Sequence, residues 1–282
     1  MEGRKITVKD DPVDYAIYYP FPCTALPPVG LNIPDDGCQT VSIDPAPKNF
    51  AIRIEKRYRT GHIEPIYMDK IDFSQYGDAS ETTGTTLIDP RMIWAITHYM
   101  NSLLPLMKES RIVAIERQLA KNYKATRIYQ HLLTYFIMVM PSFTHYCILT
   151  DLSTKLKGRI LHAPKGLNHN GMKKWGIEKA IEILTLRQDQ WSLEKIRSHR
   201  GKSQTKADDL ADTVIQMEAW FILVGGISTQ PPQALTIAPQ PPPLIAPEWD
   251  GSARSGLQLE TSGARPGVGS VQLEILPSSL IQ

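Results

Sequence analysis

A chain of 282 residues with 42% hydrophobic and 21% charged side chains has room for one substantial core or two small ones, in ordinary globular proportions. Its formal charge of +2 excludes a uniformly basic nucleic-acid binder, so any phosphate contact must come from a local patch. Cys23, Cys38 and Cys147 are widely spaced and odd in number; they indicate neither a disulfide framework nor a zinc site, and fit a reducing, intracellular compartment.

The opening MEGRKITVKDD lacks the apolar run of a signal peptide. Residues 1–38 are rich in proline and carry Tyr15, Tyr18, Tyr19 and Phe21, which suit either packing on a domain or binding a partner. Strand-forming runs at 39–44 and 49–57 are joined through Pro-Ala-Pro-Lys-Asn, and a third strand is predicted at 62–71. Asp89-Pro90 has the form of a helix start, a capping side chain followed by proline at the first helical position. Ile93, Ile96, Met100, Leu103 and Met107 continue it with helical spacing. RIVAIE (111–116) reads as a short apolar strand, followed by a helix from Asn122 to Val139 and a strand at 145–150.

The charge-poor stretch Leu132–Thr150 approaches a membrane span in length. Pro141, Ser142, Thr144 and His145 divide it into a helix end and a strand, so it is read as buried core with no membrane contact. Helices follow at 171–187 and 207–224. Nine of the 22 prolines fall after Ile227, a composition that cannot build a core and reads as a flexible tail open to a protein partner. The predicted organisation is an extension at 1–38, an α/β domain at 39–226 with a mixed sheet flanked by helices, and a tail at 227–282.

Two of these strands end on carboxylates, Asp44 after VSI and Glu116 after IVAI. Asp209 and Asp212 stand three apart and share one face near a helix start, with Asp208 beside them as a possible cap. Each acid has an ordinary reading: Asp44 as a turn former, Glu116 as a solvated strand end, the aspartates as partners of the helix dipole. Taken together, Asp44, Glu116, Asp209 and Asp212 also supply the oxygen ligands that Mg²⁺ or Mn²⁺ prefers, without any His/Cys cage. Two such ions about 4 Å apart activate a water and stabilise the leaving oxygen in phosphodiester cleavage.

SIDPAPKNFAI, VAIERQ and KADDLADTV, in that order across residues 39–224, resemble the RNase H-like Holliday junction resolvases of the poxvirus and large-DNA-virus type, related to bacterial RuvC and to mitochondrial cruciform-cutting enzymes. The resemblance implies an RNase H-like mixed sheet, three antiparallel strands and then parallel ones. It implies that Asp44, Glu116, Asp209 and Asp212 are catalytic and hold Mg²⁺ or Mn²⁺, two ions per site. It further implies a homodimer that cuts four-way junctions symmetrically, in a host cytoplasm or at a viral replication site if the source is viral. The sequence departs from the pattern where the usual glycine after the first Asp-Pro is Ala46, followed by Pro47. Cleavage of flaps, other branched DNA or RNA–DNA hybrids, and a non-catalytic DNA-binding scaffold, are the competing readings.

Three basic segments adjoin the acids and are the expected DNA contacts. They contribute Arg117 and Lys121 after Glu116; Lys155, Lys157, Arg159, Lys165, Lys173 and Lys174; and Arg200, Lys202 and Lys206 just before the Asp209 helix. Lys124 and Arg127 extend the first of these runs. A solvated charged face is the plain alternative for all three.

Overall fold

The computed structural model describes residues 15–18, 33–77, 87–200 and 207–224, with backbone only at 15–18 and at residue 200. The tail predicted at 227–282 and most of the 1–38 extension lie outside the described residues, as do Lys202 and Lys206.

The sheet begins with three strands in an antiparallel meander: β2 (Cys38–Asp44), β3 (Phe50–Arg57) and β4 (Ile63–Ile71) follow a short β1 (Tyr15–Tyr18). Strand β5 (Ser110–Glu116) returns parallel to β2, and β6 (Ile148–Leu152) lies parallel to β5. β1 pairs antiparallel with β6, giving the order β1-β6-β5-β2-β3-β4. Without β1 this is the predicted RNase H-like arrangement of three antiparallel strands followed by parallel ones. Within the N-terminal segment, residues 15–18 extend the sheet.

Helices cover both faces, and side-chain alternation along the strands decides which residues meet them. Phe50 of β3 packs edge-on against Tyr99 of α1 (Pro90–Met107). Asp151 of β6 meets Tyr129 of α2 (Tyr123–Val139) on that same side. The opposite face takes α3 (Leu156–Ile160), α4 (His169–Leu186), α5 (Gln190–Arg200) and α6 (Asp208–Leu223). Helix α1 starts as predicted, with Pro90 at its first position and the Asp89 carboxylate accepting from the Arg91 amide. The α3 helix falls within the run at 155–175 read as basic, and the second half of α5 overlaps the basic run at 195–206, because α3 is a single turn and the C-terminal half of α5 carries few apolar positions. β6 starts three residues later than predicted and includes Asp151, since Met140–Ser142 form a 3-10 turn that delays the strand.

The α6 helix is buried nearly throughout from Leu210 to Phe221. Its polar residues are matched to the sheet. Ser42 Oγ donates to the Thr213 carbonyl at 2.8 Å, and Gln216 Nε2 donates to Ser42 Oγ at 2.7 Å and to the Ile43 carbonyl at 3.2 Å. These bonds fix the register of α6 against the last residues of β2. Further along, Glu218 meets Arg57 and Arg187 in a buried network that also holds Arg53, Glu55 and Asp189. Three cations against three anions leave this network formally neutral, the condition for burying charge at tolerable cost.

Candidate metal centre

The parallel pairing of β2 with β5 brings their C-terminal ends to one edge. Ile43 is in register with Ile115, so Asp44 and Glu116 follow as neighbours and point to the α6 face. The register fixed by Ser42 and Gln216 lowers the first turns of α6 onto the same spot. Carboxylate oxygens of Asp44, Glu116 and Asp212 consequently lie within 4.8 Å of one another. Sequence reasoning named all three.

Asp209, the fourth predicted ligand, is one turn toward the helix start. It is held by Lys70 Nζ of β4 at 2.5 Å. Asp208 is not the cap; Ala207 takes that position, and the Asp208 carboxylate pairs with Lys173 at 2.5 Å. Lys157 of α3, expected among the DNA contacts, points into the cluster: its ammonium lies 2.6 Å from Asp212 and 3.1 Å from Glu116.

The site is short of positive charge. Burial pushes the Asp44 carboxyl well above the usual carboxylate range, and repulsion from Glu116, Asp209 and Asp212 adds to it. Burial raises Asp212 to about 7, with the Lys157 ammonium opposing and Glu116 reinforcing the shift. Burial and then Asp208 raise Asp209 to about 6, although Lys70 counters them. Burial works against the Lys157 charge, yet Asp212, Glu116 and Asp44 outweigh it and hold the ammonium more firmly protonated than usual. Clustered carboxylates with raised proton affinity are a common property of metal and catalytic sites. The donor set, all hard oxygens and converging from three elements, fits Mg²⁺ or Mn²⁺.

The remaining predicted cations divide into two groups. Lys121, Lys155, Arg159, Lys165 and Lys174 are exposed, and Lys174 has Glu178 near it at 3.9 Å. Arg117 is held by Asp151 and Lys173 by Asp208. Lys124, in the basic run after Glu116, is fully buried and is no surface cation. The Arg200 side chain is outside the described residues. Sequence reasoning missed Lys70, Asp151 and the part played by Gln118, whose Nε2 donates to Asp44 Oδ1 at 3.3 Å. An aspartate inside the apolar run YCILTDL was the available signal for Asp151.

No family model matches the chain, and no curated protein sequence matches it. Solved structures do align with it. The yeast mitochondrial Holliday junction resolvase Ydc2 is 14% identical, over 68% of this chain and 82% of its own, at a TM-score of 0.45. The fowlpox virus resolvase bound to its substrate Holliday junction DNA is 16% identical over 66% and 99%, at 0.40. RuvC of T. thermophilus in complex with its Holliday junction substrate is 11% identical over 67% and 96%, at 0.37. Each has a Holliday junction as its substrate. Likeness at this distance leaves the functional assignment to the site itself. Among the described residues, no helix is long and apolar enough to cross a membrane.

Proposed function

We propose that this protein is a divalent-metal-dependent DNA endonuclease that resolves four-way junctions by paired, symmetric phosphodiester cleavage. The observation that carries the reading is the convergence of Asp44, Glu116 and Asp212 within 4.8 Å at the edge where two parallel strands and a buried helix meet. Those three side chains would hold Mg²⁺ or Mn²⁺, with Asp209 as the ligand next in line. When bound, such ions supply a water activated for attack and charge stabilisation at the leaving oxygen.

The chain's own residues prepare the site for that ligand. Gln118 orients Asp44 through its amide. Lys157 lies between Glu116 and Asp212 and offsets their repulsion. Lys155, Arg159, Lys165 and Lys174 stand exposed on the α3–α4 segment next to Lys157, where phosphates of a bound duplex arm would meet them. Symmetric cutting of a four-way junction requires two such sites, so the active form is a twofold homodimer.

The test is cleavage of an end-labelled synthetic four-way junction in Mg²⁺, in Mn²⁺ and in EDTA, beside a flap and an RNA–DNA hybrid. Paired symmetric nicks of the junction that vanish in EDTA are the expected result. Preferential cutting of the flap or the hybrid would move the substrate assignment. A folded protein that binds the junction and cuts none of the three would remove the nuclease reading.

A further inference from the structure

Glu116 is the last residue of β5, and a strand end next to a loop holds a ligand only as firmly as its neighbours hold the backbone. The next residue supplies that hold. Alternation sends Glu116 to the α6 face and Arg117 to the α2 face. There the guanidinium meets Asp151 through two parallel bonds, Nε to Oδ2 at 2.7 Å and Nη2 to Oδ1 at 2.8 Å. Tyr129 Oη of α2 donates to the same carboxylate at 2.7 Å. The Arg117 amide adds a 2.7 Å bond to the Leu152 carbonyl, carrying the β5–β6 ladder one residue past the strand. One residue further on, Gln118 returns to the acidic face and donates to Asp44.

We propose that Asp151, Arg117 and Tyr129 form a positioning clamp that fixes the end of β5 so that Glu116 and Gln118 are presented to Asp44 and Asp212. The inference rests on reading those acids as metal ligands. The Asp151 side chain is only 2% exposed, and the Arg117 guanidinium and Tyr129 hydroxyl both meet its buried charge. If Arg117 swung away, this buried carboxylate would lose the cation paired with it, which is costly in the protein interior. A bidentate guanidinium–carboxylate pair also fixes orientation in a way that a single point contact does not. The clamp touches neither metal nor substrate. It acts through the backbone of residues 116–118, which places one ligand directly and orients a second through an amide.

Calorimetric titration of Mn²⁺ into the full-length protein, with electron paramagnetic resonance of the bound ion, tests this in wild type, Arg117→Lys, Asp151→Asn and Tyr129→Phe. Loss of support around metal ligands typically weakens metal binding by about 10–100-fold, and that range is expected for the first two variants. Tyr129→Phe keeps the ring and removes one bond, so a smaller loss of the same sign is expected, with an altered Mn²⁺ spectrum. A residue that only stabilised the fold would leave Mn²⁺ affinity unchanged at temperatures well below melting. Should Asp151→Asn fail to fold, Arg117→Lys and Tyr129→Phe decide the matter. Wild-type Mn²⁺ affinity in the variants that fold would overturn the clamp while leaving the metal site standing. Absence of Mn²⁺ binding by the wild-type protein would remove the metal site and the clamp with it. A fall in metal-free junction affinity with unchanged Mn²⁺ binding would make Arg117 a phosphate contact and overturn the proposal.

Discussion

Replacing Asp44 with Asn should make the protein more stable and inactive at once. The three carboxylates approach within 4.8 Å, and at that separation two full charges repel by about 3.5 kcal/mol at an effective dielectric constant of ~20. Asp44 takes part in two such pairs and also carries the cost of burial. The Lys157 ammonium and partial protonation of the acids relieve much of this, so a net gain of about 1–2 kcal/mol at pH 8 is the expected remainder. For a domain of this size each kcal/mol moves the midpoint by ~2–4 °C, which predicts a rise of roughly 2–8 °C in metal-free Tm. The amide is close in shape to the carboxylate and keeps an oxygen for Gln118, so packing is preserved. Cleavage should fall on the order of 10³-fold, since a lost ligand removes several kcal/mol of transition-state stabilisation. Thermal melts by circular dichroism without metal, paired with single-turnover junction cleavage in Mg²⁺, read both quantities. A variant that melts lower than wild type, or cuts within tenfold of it, would refute the reasoning.

Three further outcomes are expected. Asp209 and Asp212 are raised to about 6 and about 7, so between the ordinary carboxylate range and pH 7 the folded state binds more protons than the unfolded one. The cluster's contribution to metal-free stability therefore falls as pH rises from about 5 to about 8. Asp212→Asn should flatten that dependence relative to wild type in melts across the range, and an unchanged slope would contradict it. Arg53 donates to Glu55, Ser192 and Asp189 from a fully buried position. Arg53→Met leaves two interior carboxylates short of a partner, at a cost of about 3–5 kcal/mol, and Tm should drop by roughly 6–20 °C; a change within 2 °C would show the network relaxing around the gap. Lys157→Met removes the cation between Glu116 and Asp212. Its metal-free form should melt below wild type, and saturating Mn²⁺ should raise its Tm by more than it raises that of wild type. Equal shifts in differential scanning fluorimetry would rule out the charge-compensating role of Lys157.

Local chemistry determined much of this protein. Alternating and apolar runs marked the five main strands, Asp89-Pro90 marked the start of α1, and the strand-terminal positions of Asp44 and Glu116 were legible because a carboxylate after an apolar strand is costly to hide. The i, i+3 spacing of Asp209 and Asp212 placed both on one helical face. Sequence could not tell which of the two would join the strand acids. That depended on the register of α6, decided by bonds from Ser42 to Thr213 and from Gln216 to Ser42 across 171 and 174 positions of chain. It could not separate a lysine that meets phosphates from one that neutralises acids either. Lys157 and Lys155 look alike in KLKGR, but a one-turn helix turns the first toward Glu116 and leaves the second in solvent. Asp151 and Lys70 were hidden for the same reason. A charged side chain's role is set by the field around it, and that field is made by residues distant in sequence.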